Sequence, residues 1–130
     1  MTDAALVRDF YATWNPDHLA DDVEWRLAEG FPSAGDYRGR RAVFEDWWPR
    51  HAAIFPEWQA RVEHVVDGGE AVVVVLGTYT GRAAGSDTRF EVPFAHAWRI
   101  RDGKIAAFDQ HTNTLAFHRI LAASDGEGRG

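Results

Sequence analysis

The stretch that decides the fold runs from Glu91 to Asn113 and reads EVPFAHAWRIRDGKIAAFDQHTN. Two runs of alternating apolar and polar residues flank Asp102-Gly103, a dipeptide typical of a two-residue β-hairpin turn. If these two residues form the turn, Arg101 pairs with Lys104 and the register of both strands follows. The sequence therefore predicts a long antiparallel hairpin near the end of the chain.

The predicted register places titratable side chains on the apolar face of this hairpin. His96 lies opposite Asp109, Phe94 lies opposite His111, and Asn113 shares their face. Burying imidazoles and a carboxylate costs free energy unless each finds a partner, so we interpret this face as the wall of a ligand cavity. The alternative is that the histidines are satisfied core or interface residues. A one-residue slip of one strand would send its side chains to the opposite face.

The composition is that of a single globular domain with a large apolar interior. The chain has 130 residues, 45% of them hydrophobic, and six are tryptophans. A net charge of -6 argues against a nucleic-acid partner, because such binding depends on clustered Lys and Arg. The chain has no cysteine, which excludes disulfides, thiolate metal sites and a thiol nucleophile and fits the cytoplasmic location that we expect.

No targeting or membrane segment is predicted. The amino-terminal residues lack a basic region followed by a long apolar run, so we expect no signal peptide. The longest wholly apolar run, Ala71 to Leu76, is too short to span a bilayer. We therefore expect no membrane partner.

Helical patterns come first along the chain and strand patterns follow. The predicted helices cover residues 3–14, residues 16–20, a segment from about residue 40 that Pro49 bends or divides, and residues 115–122. The predicted strands cover residues 22–27, 58–66, 71–80 and the two arms of the hairpin. This order predicts an α+β domain over residues 1–123, with a cone-shaped, curved antiparallel sheet wrapped around the N-terminal helices and a deep pocket. Residues 124–130 are predicted to be a disordered tail.

Three motifs carry a resemblance to a known family: DDVEW from Asp21, YRG from Tyr37, and PFAHAWRIRDGKIAAFDQHTNT from Pro93. With the order of elements, they make residues 4–122 similar to the nuclear transport factor two-like superfamily, in its SnoaL-like, ketosteroid-isomerase-related branch. The resemblance implies an α+β cone with a pocket between sheet and helices, and homodimers packed through their sheets. Such proteins include isomerases, polyketide cyclases, dehydratases, epoxide hydrolases and non-catalytic binders, so the fold alone does not name a reaction.

Carried over residue by residue, the resemblance argues against steroid isomerisation by the family's mechanism. The enolising carboxylate, the first-helix tyrosine and the protonated aspartic acid of ketosteroid isomerases map to Leu27, Phe10 and His96. Relatives often read F-R-Q-Y-x-D-T in the last strand, where this chain replaces Arg, Tyr and Asp by Asp109, His111 and Asn113. These departures fall on the predicted pocket face and would create a new His–Asp pair.

The predicted pocket would support proton abstraction next to a carbonyl group. We expect His96 to be the general base and Asp109 to orient it, with His111 and Asn113 as donors to a developing oxyanion. Aromatic side chains are expected to form the substrate-binding walls, although core packing is the alternative for each: Tyr11, Trp14, Trp25, Phe94 and Trp98.

Two functional hypotheses follow. The first is a cofactor-independent isomerase, cyclase or dehydratase acting on a polyketide- or steroid-like carbonyl compound, and the second is a non-catalytic binder of a small hydrophobic molecule or a dimerisation module. The pocket residues could in principle hold a metal, but no ligand motif is present and a His–Asp hydrogen bond accounts for them, so we expect none. We expect a homodimer, because Ala95, Ala97 and Phe108 make the outer sheet face partly apolar. Sequence alone does not place His51 relative to the pocket.

Overall fold

The computed structural model describes residues 1–128, which form three α-helices and a six-stranded sheet. The α-helices are α1 (Asp3–Thr13), α2 (Trp48–Ile54) and α3 (Thr114–Gly128). A 3₁₀ turn (Pro16–His18) follows α1, and a π-helix (Ala42–Trp47) precedes α2. The strands are β1 (Leu19–Arg26), β2 (Asp36–Arg38), β3 (Glu57–Asp67), β4 (Val72–Arg82), β5 (Arg89–Arg101) and β6 (Lys104–Thr112). Among these described residues, no helix is long and apolar enough to cross a membrane.

The strands are ordered β2-β1-β6-β5-β4-β3 in one curved sheet. The β1–β6 pair is parallel, and the other neighbouring pairs are antiparallel. The predicted α+β fold is confirmed, with the correction that the sheet is mixed. The parallel pair arises because β1, which precedes the central helical segment, joins the sheet beside its last strand.

The predicted hairpin turn is confirmed. Asp102 (φ 51°) and Gly103 (φ 74°) both lie in the left-handed region, as a type I′ turn requires. Arg101 pairs with Lys104, as the turn predicts.

A β-bulge lies three residues beyond this turn. Ile100 pairs with Ile105, yet Arg99 pairs with Ala107, so Ala106 is an extra residue in β6. Because side chains alternate along a strand, one extra residue reverses the face on which all later side chains lie.

The predicted register of β6 is therefore wrong beyond the bulge. His96 pairs with Gln110 instead of Asp109, and Asp109 pairs with Ala97 on the outer face. Phe108, predicted to lie on the outer face, is buried on the inner one. The apolar core gains an aromatic ring that the regular register would have exposed.

Pro49 divides the central helical segment, as predicted. A proline has no N–H, so it cannot donate to the carbonyl four residues earlier. In the preceding π-helix the Trp48 N–H bonds the Val43 carbonyl, and Pro49 lies in the first turn of α2. This arrangement buries Trp47 and leaves Trp48 38% exposed.

The core lies between the helices and the inner face of the sheet and is largely aromatic. The ring of Phe10 on α1 lies 6.3 Å from Trp25 and 5.7 Å from Trp98, measured between centroids. Gly77 on β4 permits close packing, because a Cβ there would come within 2.5 Å of the Phe94 ring. Burial of these rings supplies much of the favourable free energy of folding.

The last helix extends beyond its predicted end. The sequence predicts a helix ending at Ala122 and a disordered tail from Ser124, whereas α3 continues through Gly128. The buried Ser124 hydroxyl donates to the Ala84 carbonyl at 2.6 Å, which ties the helix to the loop before β5. Residues 129 and 130 of the predicted tail lie outside the described residues.

Candidate functional site

A small cavity lies between α1 and the inner face of the sheet. Its volume is about 30 Å³, enough for about one or two water molecules. The lining includes five tryptophans and no Asp, Glu, Lys or Arg: Phe10, Tyr11, Trp14, Trp25, Leu27, Trp47, Trp58, Ala60, Tyr79, His96, Trp98, Phe108 and Gln110. The space is small because indole rings occupy most of the interior.

Hydrogen bonds join the polar side chains at this cavity into one chain. Trp98 Nε1 donates to the Tyr11 hydroxyl at 3.0 Å, and that hydroxyl lies 2.5 Å from His96 Nδ1. The Tyr79 hydroxyl bonds the other ring nitrogen, Nε2, of His96. Gln110 Nε2 donates to the Tyr79 hydroxyl at 2.9 Å. We call Tyr11, His96 and Tyr79 the Tyr–His–Tyr chain.

The backbone fixes the orientation of the Gln110 amide. The Ala28 N–H donates to Gln110 Oε1 at 3.1 Å, so the amide nitrogen has to face Tyr79. The Tyr79 oxygen therefore accepts a hydrogen bond from Gln110 and has its own hydrogen left to donate.

The Tyr–His–Tyr chain has one hydrogen more than its own bonds require. Neutral His96 carries one N–H and each tyrosine one O–H, so three hydrogens serve two bonds. If Nε2 carried the histidine hydrogen, the Tyr79 hydrogen would lack an acceptor in a side chain that is 2% exposed, at a cost of about 1–3 kcal/mol. The favoured arrangement has Tyr79 donating to Nε2 and Nδ1 donating to Tyr11. The spare hydrogen is then that of the half-buried Tyr11 hydroxyl, at the cavity.

Burial keeps all three groups of this chain neutral. Desolvation lowers the pKa of His96 well below its usual value, and the charge of His111 lowers it further. Desolvation raises the pKa of Tyr11 and of Tyr79 above the usual tyrosine value, although hydrogen bonds from Trp98 and Gln110 act in the opposite direction. The Tyr–His–Tyr chain is thus suited to hydrogen-bond donation near neutral pH. His96 is a weak base, and both of its ring nitrogens are engaged in hydrogen bonds.

The predicted contact between His96 and Asp109 is wrong, because the bulge at Ala106 turns Asp109 outward. There Arg26 Nη1 donates to the Asp109 carboxylate at 3.2 Å. Desolvation and charge act on Arg26 in opposite directions, but the Asp109 hydrogen bond dominates and raises the pKa of Arg26. Asp109 is a surface ion-pair partner and is not placed to orient His96.

The other two predicted polar site residues also lie away from the cavity. His111 is exposed on the outer face, opposite Ala95. Asn113 follows β6, and its Oδ1 accepts a hydrogen bond from the Ala116 N–H at 3.1 Å, which caps α3. The same bulge accounts for the position of His111.

Most of the predicted aromatic walls do line the cavity: Tyr11, Trp14, Trp25 and Trp98. Phe94 lies behind the site, where it stacks on His96 with ring centroids 4.1 Å apart. Sequence reasoning missed Tyr79 and Gln110. The alternation of Val73, Val75, Gly77 and Tyr79 along β4 could have identified Tyr79, but the bulge concealed Gln110.

His51 belongs to a separate buried cluster. Its Nδ1 lies 2.9 Å from the Ser33 hydroxyl, which accepts a hydrogen bond from Trp47 Nε1 at 3.1 Å. Desolvation lowers the pKa of His51 to about 3, and its Nε2 has no hydrogen-bond partner among the residues that the structure describes. His51 does not line the cavity and is a core residue. Nowhere in residues 1–128 are three or more His, Cys, Asp or Glu side chains grouped so that they could hold a metal ion.

This fold is that of the SnoaL-like proteins. The family model described as the SnoaL-like domain matches residues 7–108, and the chain belongs to this family. Among curated proteins, none matches the sequence.

Solved structures with the same fold cover nearly the whole chain. An NTF2-like protein from Burkholderia thailandensis is 29% identical, with a TM-score of 0.85 over 93% of this chain and 98% of that one. An NTF2-like protein of unknown function from Burkholderia pseudomallei is 23% identical, with a TM-score of 0.83 over 93% and 98% of the two chains. A protein with a ketosteroid isomerase-like fold from Catenulispora acidiphila, in complex with trimethylamine, is 23% identical, with a TM-score of 0.74 over 92% of each chain. At these lower identities the likeness concerns the fold alone.

Proposed function

We propose that this protein binds a small, flat, apolar carbonyl compound in the cavity between α1 and the sheet, and that the Tyr11 hydroxyl donates a hydrogen bond to its carbonyl oxygen. The observation that carries the proposal is the spare hydrogen of the Tyr–His–Tyr chain. Hydrogen-bond acceptors such as ketones can use this donor without a change of charge in the protein. A cytoplasmic location stays a prediction from sequence.

The cavity lining supports a neutral, aromatic or conjugated ligand. Indole and phenol rings provide flat apolar walls, and the described lining offers no carboxylate, ammonium or guanidinium group to pair with an ionic ligand. The Tyr11 oxygen accepts hydrogen bonds from both Trp98 and His96, which polarises its own O–H and strengthens it as a donor.

The experiment uses acetophenone as a one-ring probe and compares the wild-type protein with Tyr11→Phe. Binding is measured by calorimetry, and the carbonyl stretching band of the bound probe is recorded by infrared spectroscopy. We expect a lower stretching frequency in the wild-type complex than in Tyr11→Phe, because only the hydroxyl can polarise the carbonyl. The variant should bind about tenfold more weakly, as expected for the loss of one hydrogen bond.

Two control variants separate this effect from general damage. Tyr37→Phe removes a hydroxyl outside the cavity, and Asp109→Asn removes the carboxylate on the outer face. Both should leave the carbonyl frequency and the affinity at their wild-type values. Equal frequencies in the wild-type and Tyr11→Phe complexes, or no binding of acetophenone at all, would contradict the proposal.

A second candidate is acid/base catalysis next to the carbonyl group, as in an isomerase, cyclase or dehydratase. The donor at Tyr11 favours it, since the same hydroxyl would stabilise an enolate oxygen. The engaged nitrogens and lowered pKa of His96 argue against that residue as the base. Proton NMR in D₂O tests this candidate directly. Protein-dependent exchange of the acetophenone methyl hydrogens, lost in Tyr11→Phe, would establish acid/base chemistry in place of simple binding.

A further inference from the structure

A one-ring ketone does not fit the cavity as it stands. The space of about 30 Å³ holds about one or two water molecules, and the ring of acetophenone needs several times that volume. If the proposed function is correct, at least one wall of the cavity has to move.

Four of the five lining tryptophans are held firmly. Trp25, Trp47 and Trp98 are almost fully buried, and the last two donate hydrogen bonds through their indole nitrogens. Trp58 lies on β3, and its ring centroid is 4.3 Å from that of Tyr79. Displacing any of these rings would disturb the core or break a hydrogen bond.

Trp14 is held much less firmly. It lies between the end of α1 at Thr13 and the 3₁₀ turn, and its side chain is half-buried. Its indole nitrogen makes no hydrogen bond to any residue in the part of the chain that the structure describes. Only ring packing holds its side chain: the nearest centroids are those of Phe10 at 5.1 Å and Trp48 at 5.6 Å, and three more rings lie 6.3 Å away, those of Trp25, Trp47 and Phe44.

The backbone of Trp14 is also strained. Its φ of 53° lies in the left-handed region, at a helix C-terminus where glycine or asparagine is preferred. For a residue with a side chain this conformation costs about 1–2 kcal/mol. Strained residues of this kind are enriched at ligand clamps and switch regions, because the surrounding structure has to hold them in place.

We propose that the Trp14 indole is the movable wall of the cavity and sets the largest ligand that the site accepts. When the Trp14 indole moves out, it opens space for one ring of the ligand beside the Tyr11 hydroxyl. When it moves back, it packs against that ring. The identity of the ligand rests on the proposed function, but the motion of Trp14 does not.

The motion is tested first without ligand. The protein is labelled with 5-fluorotryptophan, which places a ¹⁹F nucleus on each of the six tryptophans, and Trp14→Phe identifies the resonance of Trp14 by its disappearance. We expect the Trp14 resonance to be doubled or broadened by microsecond-to-millisecond exchange and the Trp98 resonance to be sharp. A Trp14 resonance as sharp and single as that of Trp98 overturns the movable wall.

The size limit is tested with acetophenone and the three-ring 9-fluorenone. Trp14→Gly removes the indole and suits the left-handed backbone, so the variant is expected to fold. It should raise the affinity for fluorenone relative to acetophenone by about tenfold, since the larger ketone gains the vacated space. The control is Trp48→Ala, which removes a neighbouring indole that does not line the cavity.

The outcomes distinguish the two proposals. An unchanged preference in Trp14→Gly, with both ketones bound, overturns the role of Trp14 as the size limit and leaves the proposed function standing. If no variant binds either ketone, the proposed function fails, and the ¹⁹F resonance of Trp14 alone decides whether this wall moves.

Discussion

At the scale of single residues, a buried histidine couples folding to pH. The pKa of His51 falls from its ordinary value of 6.5 to about 3 in the folded protein, because burial disfavours the imidazolium. Below pH 6.5 the unfolded chain therefore binds a proton that the folded chain does not. The stability linked to His51 is complete above pH 6.5 and is lost as the pH falls toward 3.

We expect His51→Phe to reduce this acid sensitivity. Between pH 6.5 and pH 5 the wild-type free energy of unfolding should fall by about 1.5 kcal/mol more than that of the variant. Urea unfolding at the two pH values measures the difference, with His64→Ala, on an exposed position of β3, as the control. The same pH dependence in the wild-type and His51→Phe proteins would show that His51 is not the group responsible.

At the scale of elements, the hairpin shows what local sequence determines and what it does not. Asp102-Gly103 specifies the turn, because few other residues tolerate two successive positive φ angles. The bulge has no comparable signal, since Ala106 is an ordinary small residue between apolar neighbours. The three-residue spacing from Ile105 to Phe108 is the only local indication, because strict alternation would have placed Phe108 in solvent.

The extra residue Ala106 explains which side chains of the site could be predicted from the sequence and which could not. The aromatic walls contributed by α1, β1 and β5 could be predicted, because amphipathic periodicity assigns their faces correctly. For β6 beyond the bulge, strict alternation assigns each side chain to the wrong face. It places Asp109 beside His96, where the structure has Gln110. The pairing of β1 with β6 was also beyond local sequence, because it joins strands from opposite ends of the chain.

The ring of Phe117 anchors α3 in the aromatic core. Phe117 is fully buried, and its ring centroid lies 5.0 Å from Phe31 and 5.6 Å from Phe55. We expect Phe117→Ala to lower the free energy of unfolding by about 3–5 kcal/mol. Leu115→Ala, at a position on the same helix that is 57% exposed, should change it by less than about 0.5 kcal/mol. Chemical unfolding of both variants provides the measurement, and similar losses in the two would mean that α3 is not anchored by Phe117.

At the scale of the whole molecule, the outer face of the sheet has an apolar patch. Leu76 and Val66 are 41% and 46% exposed there, and the patch continues through Ala95, which pairs with Leu76, and Ala97. We propose that two copies of the chain pair through this face with two-fold symmetry, because closed pairing covers such a patch on both partners.

Sedimentation velocity tests this assembly. The wild-type protein should sediment at twice the chain mass of 14.6 kDa, and Leu76→Arg should sediment as a monomer. A charge placed at the exposed Leu115 on α3 should leave the assembly unchanged, so Leu115→Arg is the matched control. A wild-type protein of 14.6 kDa at high concentration would rule out the dimer.

The extra residue in β6 also has an evolutionary consequence. Gain of a single codon after Ala106, with the bulge kept, would move the rest of β6 by one residue, which would bring Asp109 beside His96 and expel Phe108 and Gln110 from the interior. Two different polar centres, one built on tyrosines and one on a carboxylate, are therefore separated in this gene by three nucleotides. Insertion reaches the second centre in one event, whereas substitution would have to rewrite several positions of the strand at once.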